Sequence, residues 1–184
     1  MKIKYITGIC FTADGNLVVA DQYNNRVQIV GEDGAFVRKF GSRGKRKGQF
    51  DRPFDVSVGP DGSIAVLDSG NGRVQVFDGM GVFVRSFGSY GKGPGQFVHP
   101  AGIAVGAGGE IIVADLERKD VQVFSKEGEL LQIIGAEGDS DVDFKFPAVS
   151  VCAEADGRLT ALLRVKRVAR DGVTLGEVEV VTLT

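Results

Sequence analysis

The chain has 184 residues, the length of one domain by the usual range of roughly 100–200 residues. Its 22 Lys and Arg against 24 Asp and Glu leave a net charge of -2, which excludes a general polyanion binder but allows a local patch. Neither the opening MKIKYITGICF nor any later stretch approaches the ~18 consecutive apolar residues of a membrane span, so no membrane association is expected. Cys10 and Cys152 are far apart in strand-like contexts. They are expected to be reduced, buried small apolar residues in a cytoplasmic setting, not a disulfide or zinc ligands.

In chain order the elements are short strands punctuated by glycine, of which there are 27. A first unit runs through GICF, NLVVAD, RVQIV and AFVRKFG, strands A to D, and leaves by the linker GSRGKRKGQFDRP. A second repeats the order as DVSV, SIAVLD, RVQVF and VFVRSFG with the linker GSYGKGPGQFVHP. A third follows with GIAV, EIIVAD, DVQVF and ELLQIIG. Pro53, Pro100 and Pro147 fall 47 residues apart, as do Asp21, Asp68 and Asp115, and Val27, Val74 and Val121. The units span about 8–53, 54–100, 101–147 and 148–184; the last is degenerate, keeping SVC, the Asp156-Gly157 turn and a generic β pattern.

A lone four-stranded antiparallel sheet with two apolar faces must stack on others, which is the logic of propeller blades. The expected fold is therefore all-β, a propeller of four-stranded antiparallel blades with four units in a single domain over 1–184.

Val19-Ala20-Asp21 with Asn24-Asn25-Arg26-Val27-Gln28-Ile29, Asp68 with Asn71 and Arg73-Val74-Gln75-Val76-Phe77, and the linkers Gly48-Gln49-Phe50 to Pro53 and Gly95-Gln96-Phe97 to Pro100 resemble the NHL-repeat β-propellers. The third unit departs from the pattern with Asp120 in place of Arg26 and Arg73. The resemblance implies five or six blades. Met1 to Ile6 aligns with the end of a linker, so part of a longer propeller is the preferred expectation, with closure as four blades or pairing of two copies through open blade edges as the alternatives.

An antiparallel blade places its B–C loop and the D–A linker on one face, here the linker face. The linker tip carries Arg43, Lys45, Arg46 and Lys47 without an acid, and Tyr23, Tyr90 and His99 lie in the same group of loops. These seven are the candidate binding residues. Asp139, Asp141 and Asp143 make the third linker acidic, so the face is dipolar and suits a protein partner of mixed charge better than RNA. Single-stranded RNA, with cations on phosphates and rings on bases, is the alternative that the resemblance implies. So is a substrate-recruiting role in a ubiquitin-ligase system, although two distant cysteines cannot supply the zinc ligands of a RING. Asp21 with Arg26, Asp68 with Arg73, and Asp115 recur, and a catalytic group is needed once while a bracing bond is needed in every blade. They are read as structural. His99, the sole histidine, cannot build the His-rich zinc site of the lyase branch of the family, so no catalytic residue, metal or cofactor is expected.

Overall fold

The computed structural model describes residues 3–135 together with the strands at 148–153, 159–163, 166–170, 173–177 and 180–183. Blade 1 comprises β1 (Ile6–Phe11), β2 (Leu17–Asp21), β3 (Arg26–Val30) and β4 (Phe36–Phe40). Blade 2 comprises β5 (Pro53–Val58), β6 (Ile64–Asp68), β7 (Arg73–Phe77) and β8 (Phe83–Phe87). Its linker holds a short parallel pair, β9 (Ser89–Tyr90) and β10 (Gln96–Phe97). Blade 3 comprises β11 (Pro100–Val105), β12 (Ile111–Asp115), β13 (Asp120–Phe124) and β14 (Leu130–Ile134). Each blade is a four-stranded antiparallel sheet in chain order, and the register repeats: Ala20 opposes Val27, Leu67 opposes Val74, and Ala114 opposes Val121.

The fourth sheet differs. It orders β15 (Ala148–Ala153), β16 (Leu159–Leu163) and β19 (Val180–Leu183), while β17 (Lys166–Arg170) and β18 (Val173–Glu177) pair apart as a hairpin. In the sequence Asp171-Gly172 is a two-residue turn signal set between alternating segments, which favours pairing β17 with β18. The fold is thus an all-β propeller stack with three four-stranded blades and a three-stranded fourth sheet. The stack is not closed: β1 packs on β5, β5 on β11 and β11 on β15.

The core lies between blades. One face of blade 1, through Val18, Ala20, Val27 and Ile29, meets Val56, Ile64, Val66 and Phe77 of blade 2. Ala65, Leu67, Val74 and Val76 in turn meet Ile103, Ile111, Val113 and Phe124 of blade 3. The alternation of β strands makes this possible, since each strand supplies one blade interface with its odd and the next with its even residues. Phe50 and Phe97 plug these interfaces from the linkers, fully buried and in ring contact with Phe77 and Phe124. The glycines that precede them in the linkers are required. Gly41 and Gly88 have φ of 91° and 88°, and a Cβ on either would lie 2.3 or 2.4 Å from the Phe50 or Phe97 ring.

Cys10 is half-buried, not buried as its strand context suggests, because it lies on β1, an edge strand, and packs only at the margin of the core between blades 1 and 2. The Cys152 side chain, the acidic linker at 139–143, Pro147 and the Asp156-Gly157 turn lie outside the described residues.

Candidate functional site: the linker face

Each blade is tied to the linker before it by one buried carboxylate. Asp68 Oδ1 accepts the backbone N–H of Asp51 at 2.8 Å, and Oδ2 accepts Asn71 Nδ2 at 2.9 Å, Arg73 Nε at 2.8 Å and Gln75 Nε2 at 3.1 Å. The cationic and amide partners carry the tie onward. Arg73 Nη2 donates to the carbonyls of Arg46 and Gln49, Gln75 Nε2 also donates to Gln49 O, and Gln75 Oε1 accepts the Gly48 N–H at 3.0 Å. The Asp–Arg–Gln set thus holds the B–C loop and also fastens the incoming linker, which a reading confined to Asp and Arg misses. The signal was present in sequence, since Gln28, Gln75 and Gln122 recur at the same interval of 47 and are fully buried.

Blade 1 repeats the arrangement: Lys4 N–H, Asn24, Arg26 and Gln28 all donate to Asp21. Blade 3 reaches it by another route. Asp115 takes the backbone N–H groups of Val98, His99, Glu117 and Arg118. The guanidinium comes from Arg118, two residues before the expected place, which pairs with Asp120 at 2.6 Å and donates to the Lys92 and Gly93 carbonyls. The Asp120 substitution therefore relocates the cation without losing the tie.

The carboxylates do not titrate alike. Burial pushes Asp68 above the ordinary value despite donors from Asn71, Arg73 and Asp51. Burial also opposes ionisation of Asp21, but Asn24, the Lys4 N–H and Arg26 outweigh it and hold the carboxyl low. The difference follows from position: the linker at 41–52 covers Asp68. Asp120 is raised by burial against the pull of Arg118.

A cavity of about 280 Å³ opens on the linker face at the inner ends of blades 1 to 3. Phe54, Val98, Pro100 and Ala101 contribute apolar wall, and Arg52, Tyr90 and His99 stand at it with exposed side chains. Arg52 has φ of 52°, a left-handed conformation that a non-glycine residue adopts at a cost, and its N–H is held by Asn25 Oδ1 at 2.9 Å. Mixed charge surrounds the opening: Arg52 Nε is 3.7 Å from Asp51, and His99 Nδ1 is 3.4 Å from Glu117.

The seven candidate residues therefore separate. Tyr90 and His99 line the cavity; Arg52, missed in sequence, joins them. Tyr23 instead stacks on Tyr5 with ring centroids 4.9 Å apart, an exposed aromatic pair beyond the cavity lining. Arg43, Lys45, Arg46 and Lys47 are exposed on the first linker and do not line the cavity. Lys47 Nζ sits 5.6 Å from the centroid of the Phe83 ring, and the Arg46 N–H is fixed by Gln49 Oε1. Among the described residues no group of three or more His, Cys, Asp or Glu could hold a metal ion, and no helix is long and apolar enough to cross a membrane.

Three segments, residues 4–30, 50–77 and 97–124, match the NHL repeat, and they begin at the linker end and close with strand C of each blade. The chain belongs to the NHL-repeat β-propeller family. This NHL protein has no significant match among curated proteins. Its fold is similar to virginiamycin B lyase from Staphylococcus aureus, at 14% identity and a TM-score of 0.62 over 94% of this chain and 55% of that one. It is also similar to a chain of the nidogen/laminin complex, at 16% identity and 0.68 over 88% and 58%, and to the RRP9 WD40 repeats, at 14% and 0.67 over 86% and 45%. The NHL chain spans about half the length of these propellers, and the likeness is one of fold.

Proposed function

We propose that the chain is a non-enzymatic interaction scaffold, cytoplasmic and built as one propeller domain, that binds a protein partner through the linker face at the axial cavity. One observation carries this reading. Repeats hold their framework constant and vary what the framework presents, and here the varied positions converge. Asp21, Asp68 and Asp115 are identical across the units, as are Gln28, Gln75 and Gln122. By contrast Gln22, Ser69 and Leu116 occupy one repeat position, Arg52 and His99 another, and Phe54 and Ala101 a third, and all seven line the same cavity. The cavity, of about 280 Å³, is at the small end of the ~300–1,000 Å³ of ligand sites, a size that suits one or two partner side chains. An apolar side chain against Phe54 and Pro100, flanked by a carboxylate toward Arg52, is the complementary chemistry.

The test compares capture of proteins from source extract by the parent and by Arg52→Glu and Tyr90→Ala, with and without nuclease. Nuclease-resistant capture that both variants abolish, with melting unchanged, is the expected result. Capture unaffected by either variant overturns it.

Single-stranded RNA is the second reading, favoured by the exposed Tyr5–Tyr23 pair and the four exposed cations of the first linker. Under it, replacing Arg43, Lys45, Arg46 and Lys47 by Gln lowers the slope of log affinity for polyuridine against log salt by up to about 3, at roughly 0.7 per phosphate contact. A partner protein instead shows slower association with little change in dissociation. A ubiquitin-ligase substrate-recruiting role fits the same face and requires a RING from another segment or chain.

A further inference from the structure

The face opposite the linkers holds a second cavity, of about 180 Å³, between blades 2 and 3. It opens among the A–B turns of both blades and the C–D turn of blade 3, and Val76, Val105 and Ile111 give it an apolar floor. Arg85 of the outer strand β8 lines it, and Arg85 Nε is buried with no hydrogen-bond partner. Lys126, exposed in the C–D turn, stands at the same cavity. A buried guanidinium N–H without an acceptor is rare because its desolvation is not offset, so such a donor inside a cavity marks a place where an acceptor belongs. The acids nearby do not supply one. Asp61 is held below the usual carboxylate range first by its hydrogen bonds to Ser63 and only last by the Arg85 charge, and its Oδ1 takes the Ser63 N–H at 3.0 Å. Glu110 lies over Gly106 and Gly108 of its own turn, Glu127 pairs with Lys126 at 3.8 Å, and neither lines the cavity.

The repeat shows how this niche differs from its neighbour. At the joint of blades 1 and 2 the corresponding positions are Asp14, Arg38, Asp61 and Gly79; at the joint of blades 2 and 3 they are Asp61, Arg85, Gly108 and Lys126. One acid in excess becomes one cation in excess. Arg38 Nη1 also lies 2.8 Å from Met80 Sδ, a contact that Arg85 lacks because Glu127 holds the place of Met80. We propose that the cavity between blades 2 and 3 binds a small oxyanion, a carboxylate or a phosphate, whose oxygens accept from Arg85 Nε and from the Lys126 ammonium. The planar guanidinium gives the directional contact from within, and the ammonium on its flexible stem closes from the rim. The apolar floor strengthens both contacts by keeping water from them. At about 180 Å³ the cavity is well under the ~300–1,000 Å³ of sites for larger ligands, so it admits one such group and little more. It stands apart from the linker face and does not depend on what binds there.

Nuclear magnetic resonance of the arginine Nε–H groups and backbone amides of the 184-residue chain tests this, in titrations with inorganic phosphate and with a blocked glycine peptide carrying one glutamate, and with sodium chloride in parallel. The Arg85 Nε–H and the Gly108, Gly109 and Lys126 amides are expected to shift saturably with at least one of the two oxyanions, at a dissociation constant at least about tenfold below that of chloride, while the Arg38 Nε–H stays in place. Tighter binding of phosphate assigns a free anion to the site, and tighter binding of the peptide assigns an acidic side chain of a partner. Arg85→Gln and Lys126→Gln are each expected to weaken the binding at least about fivefold. The Lys126 side chain is 69% exposed, so its replacement should leave the melt as in the parent. Should Arg85→Gln fail to fold, Lys126→Gln and the Arg38 signal of the parent decide. Shifts at Arg85 that do not saturate or that Arg38 matches overturn the proposal, and so does binding that Lys126→Gln leaves intact.

Discussion

Removing the Asp68 carboxylate tests whether the repeated acids are structural. Asp68→Ala deletes the acceptor for the Asp51 N–H, Asn71, Arg73 Nε and Gln75 Nε2. Two of these retain other partners: Asn71 still reaches Gly44 O, and Gln75 still reaches Gln49 O. The uncompensated losses are the Asp51 N–H and the charge balance of Arg73, whose side chain is mostly buried. An orphaned buried donor costs about 1–3 kcal/mol and breaking a buried ion pair by removing one partner about 3–5 kcal/mol. The Arg73 end keeps two carbonyl acceptors, so a total near 3–4 kcal/mol follows. At roughly 2–4 °C per kcal/mol for a chain of this size, the melting temperature falls by about 6–16 °C, measurable by circular dichroism or calorimetry. Asp115→Ala is expected to cost at least as much, because it strips the acceptor from four backbone N–H groups, those of Val98, His99, Glu117 and Arg118, although Asp120 still balances Arg118. An unchanged melt in Asp68→Ala accompanied by loss of partner binding refutes the structural assignment.

Asp55 gives a pH dependence of opposite sign to the usual carboxylate. Burial pushes it up to about 6 from 3.8 although it accepts the Ile103 and Val56 N–H groups. Because the folded pKa lies above the unfolded one, its stabilising contribution is full below about pH 3.8 and is lost as pH rises through about 6. The stability of the parent relative to Asp55→Asn should therefore fall by up to about 3 kcal/mol between pH 3.5 and 7.5 in urea titrations, and a flat difference sinks the assignment. Phe97→Ala should cost about 3–5 kcal/mol as a plug removed from the interface of blades 2 and 3. Gly88→Ala should be destabilising by ring overlap plus backbone strain, but the double variant should cost clearly less than the sum, since Phe97 is the atom group the new methyl meets; strict additivity in a double-mutant cycle contradicts that contact.

What sequence made legible was whatever recurs. The period of 47 places Asp21, Asp68 and Asp115, fixes the strand order of three blades, and puts QYNN, SGNG and LERK beside the linkers. Two things escaped it for physical reasons. Arg118 replaces Arg73 from a different register position because a guanidinium on a long stem reaches one equivalent linker carbonyl, Arg46 O for Arg73 and Gly93 O for Arg118, from either side of the turn, so identity by alignment underestimates equivalence. Arg52 was passed over because its repeat counterparts are Tyr5 and His99, which share no chemistry. A periodic reading selects constant positions, whereas a binding residue is one the repeat leaves free to vary.

That division also explains how a loop-built site is held rigid. His99 and Arg52 belong to linkers, which on their own are mobile connections, and a side chain on a mobile loop binds at the cost of ordering it. In this chain the backbone next to each is fastened by the framework. The His99 N–H is held by Asp115, the Arg52 N–H by Asn25, and the preceding Asp51 N–H by Asp68. The carboxylate that locks blade to linker is therefore also what positions the variable side chains over the cavity. Loss of Asp68 should loosen Arg52 before the blade unfolds, and binding defects in such a variant should scale with local exchange of the 49–53 amides. A binding defect with those amides still protected would locate the contact at the carboxylate itself, which lies fully buried beneath the linker.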